Sequence, residues 1–163
     1  MSDLQAALIQ QFSATHDGDP WYGSSRAKLL AGLTPEQAAA HPVGGGHSIW
    51  ELVLHMTAWT NEVGRRLERH PAAEPREGDW PTVPAISNEA WGSAQAALGA
   101  AHARLLATIA ALPSTRWAEP VGRSSEPALG TGVSVAGMLV GLAQHDAYHA
   151  GQVALLRRAA EHP

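Results

Sequence analysis

The sequence predicts an all-α fold: a four-helix bundle with long crossover connections, forming one domain over residues 1–163. Three observations predict it. Apolar residues recur at spacings of three and four in four long segments, the helical period rather than the strand period of two. β-branched clusters bounded by tight hairpin turns are scarce. Two irregular stretches, 71–86 and 113–132, are longer than the usual link between packed helices and read as crossovers.

The first segment runs from about Asp3 to Ala14, with Leu4, Leu8 and Phe12 on one face. A turn-rich stretch from Thr15 to Gly23 follows, then a short helix from about Ser24 to Gly32. Thr34 and Pro35 offer a cap and a proline at the first helical position, which predicts another turn or two of helix. The second long helix opens after Gly44-Gly45-Gly46. There Ser48 and Glu51 fit a capping box, each side chain satisfying the other residue's free N–H. Leu52, His55, Trp59 and Val63 share its stripe, and the end is expected near His70-Pro71. The 71–86 connection is long enough to suggest that it covers something. The third long helix spans about Ser87 to Leu112, with Trp91, Leu98, Leu105 and Leu112 on its apolar side. Ser134 can cap the last helix, where Met138, Leu142, His145, His149, Gln152 and Leu156 occupy core positions.

Composition excludes several function classes. An apolar fraction of 45% with 16% charged residues is that of a globular chain, and 163 residues suffice to bury a core. A net charge of -4 offers no basic surface for phosphate backbones, so no nucleic-acid partner is expected. With no cysteine, disulfides, thiolate nucleophiles and zinc–thiolate sites are ruled out, and any metal must be held by His, Asp, Glu or water. Met1–Gln10 lacks a positive leader followed by an apolar run, and no apolar stretch reaches spanning length. A soluble, cytoplasmic protein without a membrane partner is therefore expected.

The chemistry lies in where the histidines fall. His145 and His149 are four apart, so both project from one face, and that face is the apolar stripe. His55 sits on the inward stripe of the second long helix. Buried imidazoles need partners for both ring nitrogens, and a shared divalent metal would satisfy three rings at once. Spacing alone leaves a second interpretation open, in which each inward ring finds its own backbone or carboxylate partner. A zinc-protease motif does not fit, because Asp146 stands where that motif needs Glu. Asp146 is the candidate catalytic residue, as a group that orients a ligand histidine or takes a proton; a solvated helix position is its plainer reading. Gln152, Glu51, Trp59, Tyr148 and Trp21 are candidates to line the site or support its ligands. For each a structural role competes: a buried amide for Gln152, the capping box for Glu51, ordinary packing for the aromatics. Gly151 is read as allowing close helix approach. His102 is the rival histidine, since its helix stripe passes through either Ala101 or His102. His16, His41, His47, His70 and His162 fall at loops or ends and are expected in solvent.

Gly46-His-Ser-Ile-Trp-Glu-Leu-Val-Leu-His55-Met and Gln144-His-Asp-Ala-Tyr-His-Ala-Gly-Gln152 resemble the two signature segments of the DinB/YfiT-like superfamily. Pro20-Trp-Tyr-Gly23 and Gly78-Asp-Trp-Pro81 are similar to turns in part of that family. The resemblance implies a four-helix bundle, often a homodimer, with His55, His145 and His149 holding one divalent metal ion. Zinc or nickel lead as its identity, followed by iron or manganese. It also implies a metal-dependent enzyme acting on a small-molecule substrate, either a transferase using a low-molecular-weight thiol or a hydrolase. The alternative is a metal-bearing stress-response or binding module without turnover.

Overall fold

The computed structural model describes residues 3–122 and 132–161. Among the described residues are six α-helices: α1 (Asp3–His16), α2 (Arg26–Leu30), α3 (Pro35–Ala39), α4 (Ile49–Leu67), α5 (Asn88–Ala111) and α6 (Val135–Glu161). The fold is all-α. α1, α4, α5 and α6 form the four-helix bundle, α2 lies on α6, and α3 lies on α4. Among the described residues the only β pairing is an isolated antiparallel bridge between Pro120 and Ser134. No described helix is long and apolar enough to cross a membrane.

Local signals set the helix starts. The Ser48 hydroxyl accepts from the Glu51 N–H at 3.2 Å, and the Glu51 carboxylate accepts from the Ser48 N–H at 2.7 Å, completing the capping box. Thr34 and Gln37 form the same reciprocal pair at the head of α3. Ser87 caps α5 through the Ala90 N–H, and Ser134 accepts from the Gly137 N–H at the head of α6. α4 ends at Leu67, earlier than the expected stop near His70-Pro71. Arg69 takes φ 70° there, and the N–H groups of Arg69 and His70 return to the carbonyls of Arg66 and Arg65. Those bonds close a Schellman motif before the proline is reached.

The core has two apolar lobes. One gathers Leu8 and Phe12 of α1, Val63 and Leu67 of α4, Leu105 and Ile109 of α5, and Leu139 and Leu142 of α6. The other gathers Ile49, Trp50, Val53 and Met56 of α4, Trp91 and Leu98 of α5, and Val153 and Leu156 of α6, closed by Leu30 and Leu33. Several buried polar residues fall at or near the junction of the lobes: Thr15 on α1, His55 and Glu62 on α4, His102 on α5, Asp146 and His149 on α6; Gln5, at the start of α1, lies away from it. Arg26 of α2 is buried with them. A polar waist thus crosses an otherwise apolar bundle, and buried polar groups of this kind require partners.

Candidate metal centre

Three histidines converge at the level of this waist, two of them buried and His145 half-buried. His55 projects from α4, and His145 and His149 from α6. One ligand-capable atom from each lies within 4.8 Å of the others, a geometry able to hold a metal ion. The Nε2 of His145 is 2.9 Å from Nε2 of His55 and 3.1 Å from Nε2 of His149.

The far sides of two rings fix their tautomers. The Nδ1–H of His55 donates to the Asp79 carbonyl at 2.6 Å, and the Nδ1–H of His149 donates to Oε1 of Gln152 at 2.6 Å. A neutral imidazole carries one proton, so both rings turn an unprotonated Nε2 toward His145. The Nε2 of His145 has at most one proton to give. At least one lone pair therefore faces another nitrogen with nothing between them, a conflict that a shared cation removes. Burial pushes the pKa of His149 down to about 4, against the opposing pull of its bond to Gln152. Burial likewise lowers His55, with the Asp79 carbonyl opposing. Both rings are neutral at pH 7, the form that ligates a divalent ion. Bonds of about 2.0–2.1 Å to a tetrahedral ion would set the nitrogens roughly 3.3 Å apart, so the donor set fits with small outward shifts.

Residues 26–153 match the DinB superfamily. The chain belongs to that superfamily. No curated protein matches it. In this DinB-superfamily chain the surroundings of the cluster differ in several respects from what the sequence suggests.

The 71–86 connection does cover something. Gly78, at φ 88°, turns the chain so that Asp79 and Trp80 lie over His55. Trp80 stacks between His55 at 4.0 Å and His47 at 3.4 Å, so His47, although exposed, takes part in the cover. The Asp79 carboxylate accepts from the Trp59 indole N–H at 2.7 Å, and the Trp59 ring meets His55 edge-on at 6.4 Å. Gln152 acts on His149 as described. Glu51 does not reach the cluster: it serves the cap and pairs with His41 at 3.0 Å.

Asp146 is not solvated. It is 1% exposed, and its Oδ2 accepts from Arg26 at 2.9 Å. Tyr148 is 65% exposed rather than packed; its ring edge approaches His149 at 5.1 Å and its hydroxyl accepts from Gln152 at 3.4 Å. Trp21 is fully exposed and walls no pocket at the cluster. A side chain at Gly151 would meet nothing within 4 Å, so close helix approach is not its role. His102 and Ala101 are both buried, and His102 stacks on His16 at 4.3 Å, which leaves His16 half-buried. His41 and His70 are exposed as expected, and His162 lies outside the described residues.

A cavity of about 160 Å³ opens beside the cluster, walled by His145, Trp59, Met138, Gly141 and Leu142. A larger one, about 740 Å³, lies between α2 and α6 and is lined by none of the three histidines. The smaller cavity is the relevant one for chemistry, because His145 forms part of its wall. Arg26, Asp79 and Trp80 are the residues that sequence reasoning missed. The Gly78-Asp79-Trp80-Pro81 turn was the available signal for two of them.

Proposed function

We propose that this chain is a metal-dependent enzyme acting on a small molecule, with transfer to a low-molecular-weight thiol ahead of hydrolysis. The observation that carries it is the convergence of three imidazole nitrogens beside a small, largely apolar cavity. Three protein ligands leave a position for an outside group, the pattern of catalytic rather than closed structural sites. A divalent ion there, zinc or nickel first, supplies Lewis acidity and favours the deprotonated form of a bound thiol or water. The chain's own residues supply placement. Asp79 and Gln152 hold two rings in the ligating tautomer, Trp80 shields His55 from water, and Trp59 and Met138 give the cavity an apolar wall. Lacking cysteine, the chain must take its nucleophilic sulfur from the cosubstrate.

A binding or stress-response module without turnover is the second reading. It is favoured by the carboxylates nearest the cluster, each already engaged through one oxygen: Asp146 by Arg26 and Asp79 by Trp59. The proposed setting is the cytoplasm, as a homodimer. Val140, Tyr148 and Leu155, all exposed on α6, support a further helical face available for pairing.

Cobalt-substituted protein tests the enzyme reading. Low-molecular-weight thiols should perturb the ligand-field spectrum and add a sulfur-to-metal band, and turnover of an electrophilic or hydrolysable substrate should vanish in His149→Ala with helical circular dichroism retained. A spectrum indifferent to thiols, with no turnover across a broad substrate panel, would favour the binding module. Sedimentation showing only a 17.1 kDa species at micromolar concentration would refute the dimer.

A further inference from the structure

The three histidines are not equally supported. His55 and His149 each have Nδ1 anchored at 2.6 Å. The Nδ1 of His145 is buried and has no hydrogen-bond partner among the described residues. One other orphan sits beside it: Oδ1 of Asp146, equally buried and unpartnered, 3.9 Å away. A potential donor and an acceptor, both stripped of water and facing each other just beyond bonding distance, are a costly arrangement unless they close in the working state.

The chemistry of the cluster says when they close. If all three Nε2 lone pairs are to serve one ion, His145 must carry its proton on Nδ1. That proton then needs an acceptor, and Oδ1 of Asp146 is the buried, unpartnered oxygen beside it. The carboxylate is held from the opposite side. Arg26, itself 2% exposed, donates to Oδ2 at 2.9 Å, leaving Oδ1 free. A second Arg26 nitrogen donates to Nδ1 of His102 at 3.2 Å, which fixes the guanidinium plane. α2, which presents Arg26, is itself pinned to α6, since Arg157 donates to the Leu29 and Ala31 carbonyls at 2.8 Å.

We infer that Arg26 and Asp146 are positioning residues for His145: Arg26 anchors the Asp146 carboxylate so that its free oxygen accepts the Nδ1–H of His145 when the cluster holds a metal ion. Arg26 thereby links a helix that carries no ligand to the metal centre. This rests on the three-histidine metal reading, and the experiment separates the two.

Zinc affinity is measured by chelator competition on the wild type and on Arg26→Met/Asp146→Leu, a double variant that removes both buried charges together and so avoids stranding either one. Loss of a partner of this kind costs roughly 10–100-fold in metal affinity, and that loss is expected with helical circular dichroism unchanged. Wild-type affinity in the double variant would overturn the inference. A wild-type protein that binds no zinc would instead overturn the metal reading itself. Should the double variant not fold, zinc-loaded wild-type protein labelled with ¹⁵N-histidine decides. Slowly exchanging Nδ1–H signals are expected from His55, His145 and His149 alike. Their presence for His55 and His149 alone would overturn the role given to Arg26 and Asp146, because a merely structural ion pair would leave the His145 signal exchanging freely.

Discussion

His102 sets a measurable limit on the acid tolerance of the metal-free bundle. Its Nδ1 accepts from Arg26, its ring stacks on His16, and it is 5% exposed. Burial first, then the neighbouring His16 and the cationic Arg26, push its pKa down to about 4 from an ordinary 6.5. The sign follows from which form the fold prefers. The folded state holds the ring neutral, while the unfolded chain takes up a proton near 6.5. The stability associated with His102 is therefore complete above pH 6.5 and is lost as pH falls toward 4. Between pH 7 and pH 4.5 the loss is about 2.5 kcal/mol, from a shift of roughly 2.5 pH units at about 1.4 kcal/mol each, most of it spent by pH 4.5. Glutamine at this position keeps an acceptor for Arg26 but cannot titrate. Urea unfolding of chelator-treated wild type and His102→Gln at both pH values compares a titrating with a non-titrating side chain at this position. His102→Gln should lose about 2.5 kcal/mol less on acidification than the wild type. Identical losses in the two proteins would refute the buried, neutral assignment of His102.

Elemental analysis should find about one divalent ion per chain, abolished in His145→Ala and intact in His41→Ala; at a free ion concentration a hundred times Kd, unfolding should become harder by about 2.7 kcal/mol. Glu62 has a fully buried carboxylate that accepts from Arg65, Arg66 and the Ala73 N–H, so Glu62→Ala removes the buried anion these donors share and should cost about 3–5 kcal/mol in chemical denaturation. Trp80→Ala should retain the ion, because His55 is anchored by a backbone carbonyl, yet release it to chelator several-fold faster in stopped-flow assays, since the ring that covers His55 is gone.

The legible features were those that local sequence decides. Capping boxes join residues three apart, so Ser48 with Glu51 could be read directly. The helical period likewise places His145 and His149 inward, because Met138, Leu142 and Leu156 on the same stripe are buried. Asp146 was misjudged for the opposite reason. Its burial depends on Arg26, 120 residues away in a five-residue helix, and no periodic pattern reports such a pairing. Asp79 acts on His55 through a backbone carbonyl, which any residue type could supply. The apolar rings of Tyr148 and Trp21 suggest packing, but Tyr148 is rotated off the buried stripe by its place next to His149, and Trp21 lies in a turn outside the described helices.

The contact between His55 and His145 joins points 90 residues apart in a chain without cysteine. An ion held by both would fasten the two ends of that loop in the folded state only, with a stabilisation set by the ratio of free ion to Kd. Unlike a disulfide, such a staple ignores thiol reductants and yields to chelators and acid. The waist of the bundle then becomes its most condition-dependent joint, where metal supply governs how firmly α6 is fastened to α4.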